Sequence, residues 1–169
     1  MNTPIPSRPL TAAILPRAVV LGGLMAGTLD LVYAFAFWGL RGVEPVRILH
    51  SIASGWLGPS RAMAGGAASA WLGGISHYAI ALAMAWTYYL IAKRRPALVR
   101  HPWRHGALYG VVLYAAMTYV VVPLSAAHSG PLPAWRWLDL AHVAAHAWLV
   151  GVPCALAARR ALAGTHSGK

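Results

Sequence analysis

His142 and His146 stand four residues apart in the segment DLAHVAAHAW, which opens on Asp139 and otherwise reads as apolar helix. That spacing puts two imidazoles on one helix face, where both can reach a single ion, as in the HExxH metal motif. The glutamate of that motif is absent. Two further ionisable residues interrupt apolar stretches elsewhere: Asp30 in LMAGTLDLVYAFAF and His77 in WLGGISHYAIALAM. Imidazole and carboxylate suit divalent metals, and histidines that titrate between about pH 5 and 8 are natural proton carriers. Two chemistries follow. One is a metal site built from His77, His142 and His146. The other is a proton relay through a polar cluster that adds Asp30, His50 and Tyr119, with Tyr33, Tyr114 and Thr118 as further hydrogen-bonding groups.

What must position these residues is set by composition. Of 169 residues 59% are hydrophobic and 10% charged, against roughly 45–50% and 25% in ordinary soluble domains. This pattern is that of a membrane protein. The net charge of +11 would suggest nucleic acid in a soluble chain, but here the cations flank apolar segments, where they set topology and contact anionic lipid headgroups. No nucleic-acid partner is expected; the bilayer is. A single cysteine, Cys154, rules out an internal disulfide and the paired-cysteine metal and redox motifs.

Four spans are expected, at about 18–40, 67–92, 106–124 and 138–158, each close to the roughly 20 residues a bilayer requires. They form one all-α domain, a four-transmembrane-helix bundle over residues 18–160. Short tails, 1–17 and 161–169, flank it. The first apolar run is longer than the roughly 7–15 residues of a cleavable signal, so it reads as a retained span. Ten Lys and Arg fall in the two tails and the second loop, and four in the first and third loops. The positive-inside rule then puts both termini in the cytoplasm. In the first outer loop, Pro45 opens a stretch with Val46, Leu49, Ala53, Trp56 and Leu57 at helical spacing. A short amphipathic helix is expected there, lying over the mouth of the bundle with His50 on its buried stripe.

Small residues recur along single faces: Gly23, Gly27 and Ala34; Gly73, Gly74, Ala81 and Ala85; Gly106 and Gly110. Such rows let membrane helices approach closely. At 1.5 Å per residue, Asp30 and His77 lie roughly 15 Å inside the outer membrane surface, His146 roughly 12 Å and His142 roughly 6 Å. All four fall in one layer of the outer half, and an intramembrane charge costs at least about 2.5–3.5 kcal/mol unless it faces the interior. A structural reading competes with both chemistries: Asp30 pairs with a histidine of another helix and fixes the register of the bundle. Asp139, at the start of the fourth span, suits the positive end of the helix dipole.

A haem held between His77 and His146 is a further alternative, which would make the chain a membrane-bound redox protein. Phosphate-binding loops, the GxSxG elbow and paired carboxylates are absent. Ser125, His128 and Asp139 have the residue types of a hydrolase triad with nothing to orient them. Trp103, Trp135 and Trp137 fit interfacial anchors. On balance a non-enzymatic role is favoured, and a structural subunit or a homo-oligomer packing through glycine faces stays open.

The segments GISHYAIALAMAWTYYL, GALYGVVLYAAMTYVVVPL and GVPCALAARR resemble the YagU-like family of small bacterial inner-membrane proteins, loosely over residues 65–160. The resemblance implies four spans and a bacterial inner (cytoplasmic) membrane. It carries no functional residues to transfer.

Overall fold

The computed structural model describes residues 16–128, 130–131 and 134–164, so most of both expected tails lies outside the described residues. The regular elements among the described residues are all helices: α1 (Arg17–Gly39), α2 (Pro45–Leu57), α3 (Pro59–Ala64), α4 (Gly66–Arg94), α5 (Ala97–Arg100), α6 (Pro102–Leu124) and α7 (Asp139–Ala163). Of these, α1, α4, α6 and α7 are long and apolar enough to cross a membrane. The chain is therefore a multi-pass, all-α membrane protein. Its outward faces carry large apolar side chains such as Leu21, Val32, Trp71, Ile75, Leu108 and Trp148, which contact lipid.

Proline sets several helix starts. Pro45, Pro59 and Pro102 occupy the first turn of α2, α3 and α6, where a missing N–H costs nothing. Gly58, with φ of 78°, passes the chain from α2 into α3 through the left-handed region that glycine enters freely. Two boundaries differ from those expected. The third span begins at Pro102 and not near Gly106, because proline at the first helical position starts the helix one turn earlier. The fourth continues to Ala163, because RRALA is made of strong helix formers whose arginines can reach past the apolar layer.

The four spans alternate in direction. One end of the bundle collects Arg17, the α4–α6 connection and the last turns of α7; it is the basic end. The opposite end is covered by α2 and α3 and is the capped end. The central helix is α7, which packs against α1, α4 and α6. Half of its most apolar window is buried, against 11% for α6, so α6 leans on the outside of α7 and faces lipid over most of its surface. Contact between α4 and α6 is sparse, bridged by the Tyr109 hydroxyl, which donates to the Met84 carbonyl at 2.8 Å.

The core between α1, α4 and α7 is built from small side chains, Ala26, Ala85, Ala92, Ala155 and Ala158, around Val19, Tyr88 and Cys154. Close backbone approach replaces bulky packing. A Cβ at Gly22 would overlap Ala157, and one at Gly106 or Gly110 would overlap the backbone of α7 near Val152 and His146. Gly73 serves differently from the expected span contact: it admits the Leu49 carbonyl of α2. Gly74 faces open space and takes no part.

Both α6 and α7 contain a π-helical turn, Met117–Val121 and His146–Gly151. Each ends just before a proline, Pro123 and Pro153. A proline inside a helix lacks its N–H and collides with the carbonyl four residues back. Widening the preceding turn relieves that collision, and the N–H groups of Val122 and Val152 bond five residues back, to Met117 and Ala147.

Candidate functional site

Where α4 and α6 part, a cavity of about 240 Å³ opens between α1, α4, α6 and α7, under α2. Its walls are mostly aliphatic, and three ionisable side chains line it: Asp30, His77 and His146. Two of its other walls, Met117 and Val150, come from the π-helical turns, and His146 opens one of those turns.

Each histidine has one nitrogen committed. The Nε2–H of His77 donates to the Gly27 carbonyl across the α1–α4 interface at 2.8 Å. The Nδ1–H of His146 donates to the His142 carbonyl one turn back at 3.0 Å. Because a carbonyl only accepts, these bonds fix the proton on those nitrogens and leave a lone pair on His77 Nδ1 and on His146 Nε2 in the neutral rings. The Asp30 carboxylate lies 3.9 Å from His146 Nδ1, with both side chains about one-fifth exposed. No hydrogen bond reaches that carboxylate among the described residues. A carboxylate without donors beside an imidazole with a spare lone pair can take up and release a proton. The Tyr114 and His146 rings pack in a T-shaped arrangement, with centroids 5.5 Å apart.

The remaining expected residues lie elsewhere. His142 is held against α1: its Nδ1 is hydrogen-bonded to the Tyr33 hydroxyl at 3.1 Å, and its ring packs on Phe37 and stacks on Trp38. His50 is buried, as its stripe position implies, but its Nε2–H donates to the Gly66 carbonyl at the start of α4. The α2 helix does lie over the cavity, through Ile48 and Ile52 and not through His50. Tyr119 turns outward into a shallow cleft with Thr118, Arg136 and Asp139. Ser125 and Asp139 form no triad: the Ser125 hydroxyl donates to the Val122 carbonyl, and Asp139 accepts the Arg136 N–H at 2.7 Å.

His77, His142 and His146 therefore do not converge as one ligand set, and among the described residues no three His, Cys, Asp or Glu side chains are placed to hold a metal ion. The cavity is also smaller than the roughly 300–1,000 Å³ of pockets for drug-sized ligands, and α1 meets α4 at Gly27 and Ala81, which leaves no slot for a haem.

Sequence reasoning did not find the apolar walls or the neighbouring cleft. A second cleft, of about 590 Å³, runs between α2, α4 and α6. Ile52, Ile80 and Met117 line both spaces and form the partition between them. The α2 helix is held on each side of this cleft. Its Trp56 Nε1–H donates to Ser76 Oγ at 2.9 Å, and its Gly55 carbonyl accepts the Ala126 N–H at 3.0 Å. Pro123 and Pro153 were the available signal, since prolines inside apolar spans distort the helices that wall the cavity. Compared with known proteins, the chain matches no family model, no curated protein and no solved structure.

Proposed function

We propose that this protein is a non-enzymatic inner-membrane protein that binds and exchanges protons at Asp30 and His146. The cleft between α2 and α6 serves as the access path. The observation that carries the reading is the Asp30 carboxylate: it sits within a span, receives no hydrogen bond among the described residues, and lies 3.9 Å from an imidazole. An intramembrane carboxylate kept without donors is costly to the fold. Its retention beside a titratable partner is explained by proton traffic. Here a proton arrives on His146 Nε2, where the neighbouring carboxylate stabilises the imidazolium so formed, or on a carboxylate oxygen, which it neutralises. His77 orients α1 against α4 and offers Nδ1 as the next acceptor.

The excess of Lys and Arg at the basic end supports an orientation with both termini in the cytoplasm, so that the cavity opens toward the outer face. The resemblance to the YagU-like proteins over residues 65–160 belongs to the same proposal and supports the bacterial inner membrane.

Proteoliposomes enclosing a pH-sensitive dye test the activity under an imposed potassium diffusion potential. Wild type acidifies the lumen faster than empty vesicles; Asp30→Asn abolishes that difference, and His146→Gln lowers it at least tenfold. Flux in Asp30→Asn equal to wild type refutes the proposal. A second reading is favoured by the two histidine–carbonyl bonds, which are complete structural contacts by themselves: the three residues only fix helix register. On that reading Asp30→Asn lowers thermal stability, and wild-type vesicles carry no flux.

A further inference from the structure

The basic end carries a second groove, remote from the Asp30 cavity. It measures about 410 Å³ and lies between the end of α4, α5 and the last turns of α7, with Lys93, Arg100 and Arg159 around a floor that includes Pro96, Val99 and Ala163. Its shape is fixed from beneath. The Tyr88 hydroxyl donates to the Leu98 carbonyl at 3.2 Å and ties α5 to α4, while Leu98 and Val99 pack on the alanine-rich core.

Among the described residues the charges of this groove have no internal counter-ion. The chain has three acidic side chains, Asp30, Glu44 and Asp139. Glu44 precedes α2 and Asp139 opens α7, both at the capped end, and Asp30 is thirteen residues along α1 from Arg17, roughly 20 Å away. Among the described residues no carboxylate pairs with any cation of the basic end. Lys93, Arg100 and Arg159 therefore converge on one concavity with five more cations nearby, at Arg17, Arg94, Arg95, Arg104 and Arg160. Such a concavity attracts an anion, and arginine favours the forked, charge-assisted bonding of a phosphate.

The apolar floor decides which phosphate. A free ion gains nothing from Val99, Pro96 and Ala163, whereas a lipid whose head lies among the three cations can run an acyl chain along them at the membrane boundary, where basic pockets between spans hold anionic headgroups. We propose that this groove is a binding site for one anionic phospholipid, with its phosphodiester held by Lys93, Arg100 and Arg159.

Native mass spectrometry of the full chain in detergent tests this, with phosphatidylglycerol and phosphatidylcholine of matched acyl chains as probes and inorganic phosphate as competitor. Wild type retains one phosphatidylglycerol at least tenfold more strongly than phosphatidylcholine, and millimolar phosphate does not displace it. The triple variant Lys93→Gln, Arg100→Gln, Arg159→Gln loses that preference tenfold or more. The triple variant Arg94→Gln, Arg95→Gln, Arg104→Gln removes the same charge from the same end and keeps it. Equal loss in both triples overturns the site in favour of diffuse attraction, equal retention of both lipids overturns anion selectivity, and displacement by phosphate overturns the lipid assignment. Should the groove triple not fold, Arg159→Gln alone lowers the phosphatidylglycerol preference at least threefold; an unchanged preference overturns the proposal.

Discussion

Gly110 is the position where a single methyl group tests the architecture most sharply. A Cβ there would fall inside contact distance of the His146 carbonyl oxygen and the Ala147 Cα. These are backbone atoms of the central helix, which cannot swing aside as a side-chain tip can. Gly151, facing it across the same seam, has no room either, since its own Cβ would meet Gly106 O and Gly110 N. Relief requires α6 to back away from α7. Overpacking costs typically about 1–3 kcal/mol, and the rigid neighbours put Gly110→Ala at the upper end, about 3 kcal/mol. At about 2–4 °C per kcal/mol for a chain of this size, Tm falls by roughly 6–12 °C. Gly74→Ala is the matched control. Nothing lies within 4 Å of its added methyl, and alanine is favoured over glycine in a helix interior by about 0.8–1.0 kcal/mol, so its Tm is unchanged or slightly raised. Thermal scanning of detergent-purified variants by size-exclusion chromatography reads both. A Gly110→Ala protein that melts within about 2 °C of wild type, or a Gly74→Ala protein that loses as much, refutes the seam between α6 and α7.

Three further outcomes separate the roles of the polar residues. His50→Ala removes the donor from the Gly66 carbonyl and costs about 0.5–1.5 kcal/mol, visible in the same melting assay; an unchanged Tm shows that the bond does not hold α2. His142→Ala removes the bond to Tyr33 and the ring contacts with Phe37 and Trp38 and lowers stability by about 1–2 kcal/mol, while proton flux in vesicles stays at the wild-type level. A loss as deep as that of Asp30→Asn would put His142 in the relay. Met117→Trp thickens the partition between cleft and cavity and cuts flux at least tenfold with an unaltered circular-dichroism spectrum; full flux in that variant eliminates the cleft as the access path.

The spans were legible because length and apolarity are local properties, and a bilayer demands about twenty apolar residues wherever the chain crosses it. The α2 helix was legible from Pro45 and the spacing of Leu49 and Ala53. Depth along a helix is also local, which is why Asp30, His77 and His146 were grouped before any contact was known. Rotation about the axis is not local. His142 is one turn from His146, yet it points to the aromatic end of α1, while His146 lines the cavity beside Asp30. His50 was correctly placed on a buried stripe, but the stripe alone could not distinguish a cavity from the Gly66 carbonyl as its destination. Gly73 and Gly74 are adjacent in sequence and opposite in use, one against α2 and one against open space.

The two prolines bear on whether Asp30 and His146 hold the bundle together or are held by it. A charge-assisted N–H···O bond closes to about 2.7–2.9 Å, and a pair that fixed the register of α1 against α7 would reach it. This pair stands at 3.9 Å, with the His146 donor turned to its own helix. The helices are fixed instead where glycines and alanines meet: Gly22 on Ala157, Gly106 and Gly110 on Gly151 and Ala147. Pro153 and Pro123 widen α7 and α6 by a π-helical turn each, that of α7 running through the Gly151 and Ala147 contacts, and the cavity takes its Val150 and Met117 walls from those turns. Backbone contacts thus set the spacing of the site independently of its charges. A carboxylate and an imidazole kept apart by a frame that does not depend on their bond can change protonation without the helices moving, and that independence favours proton exchange over a purely structural role for Asp30.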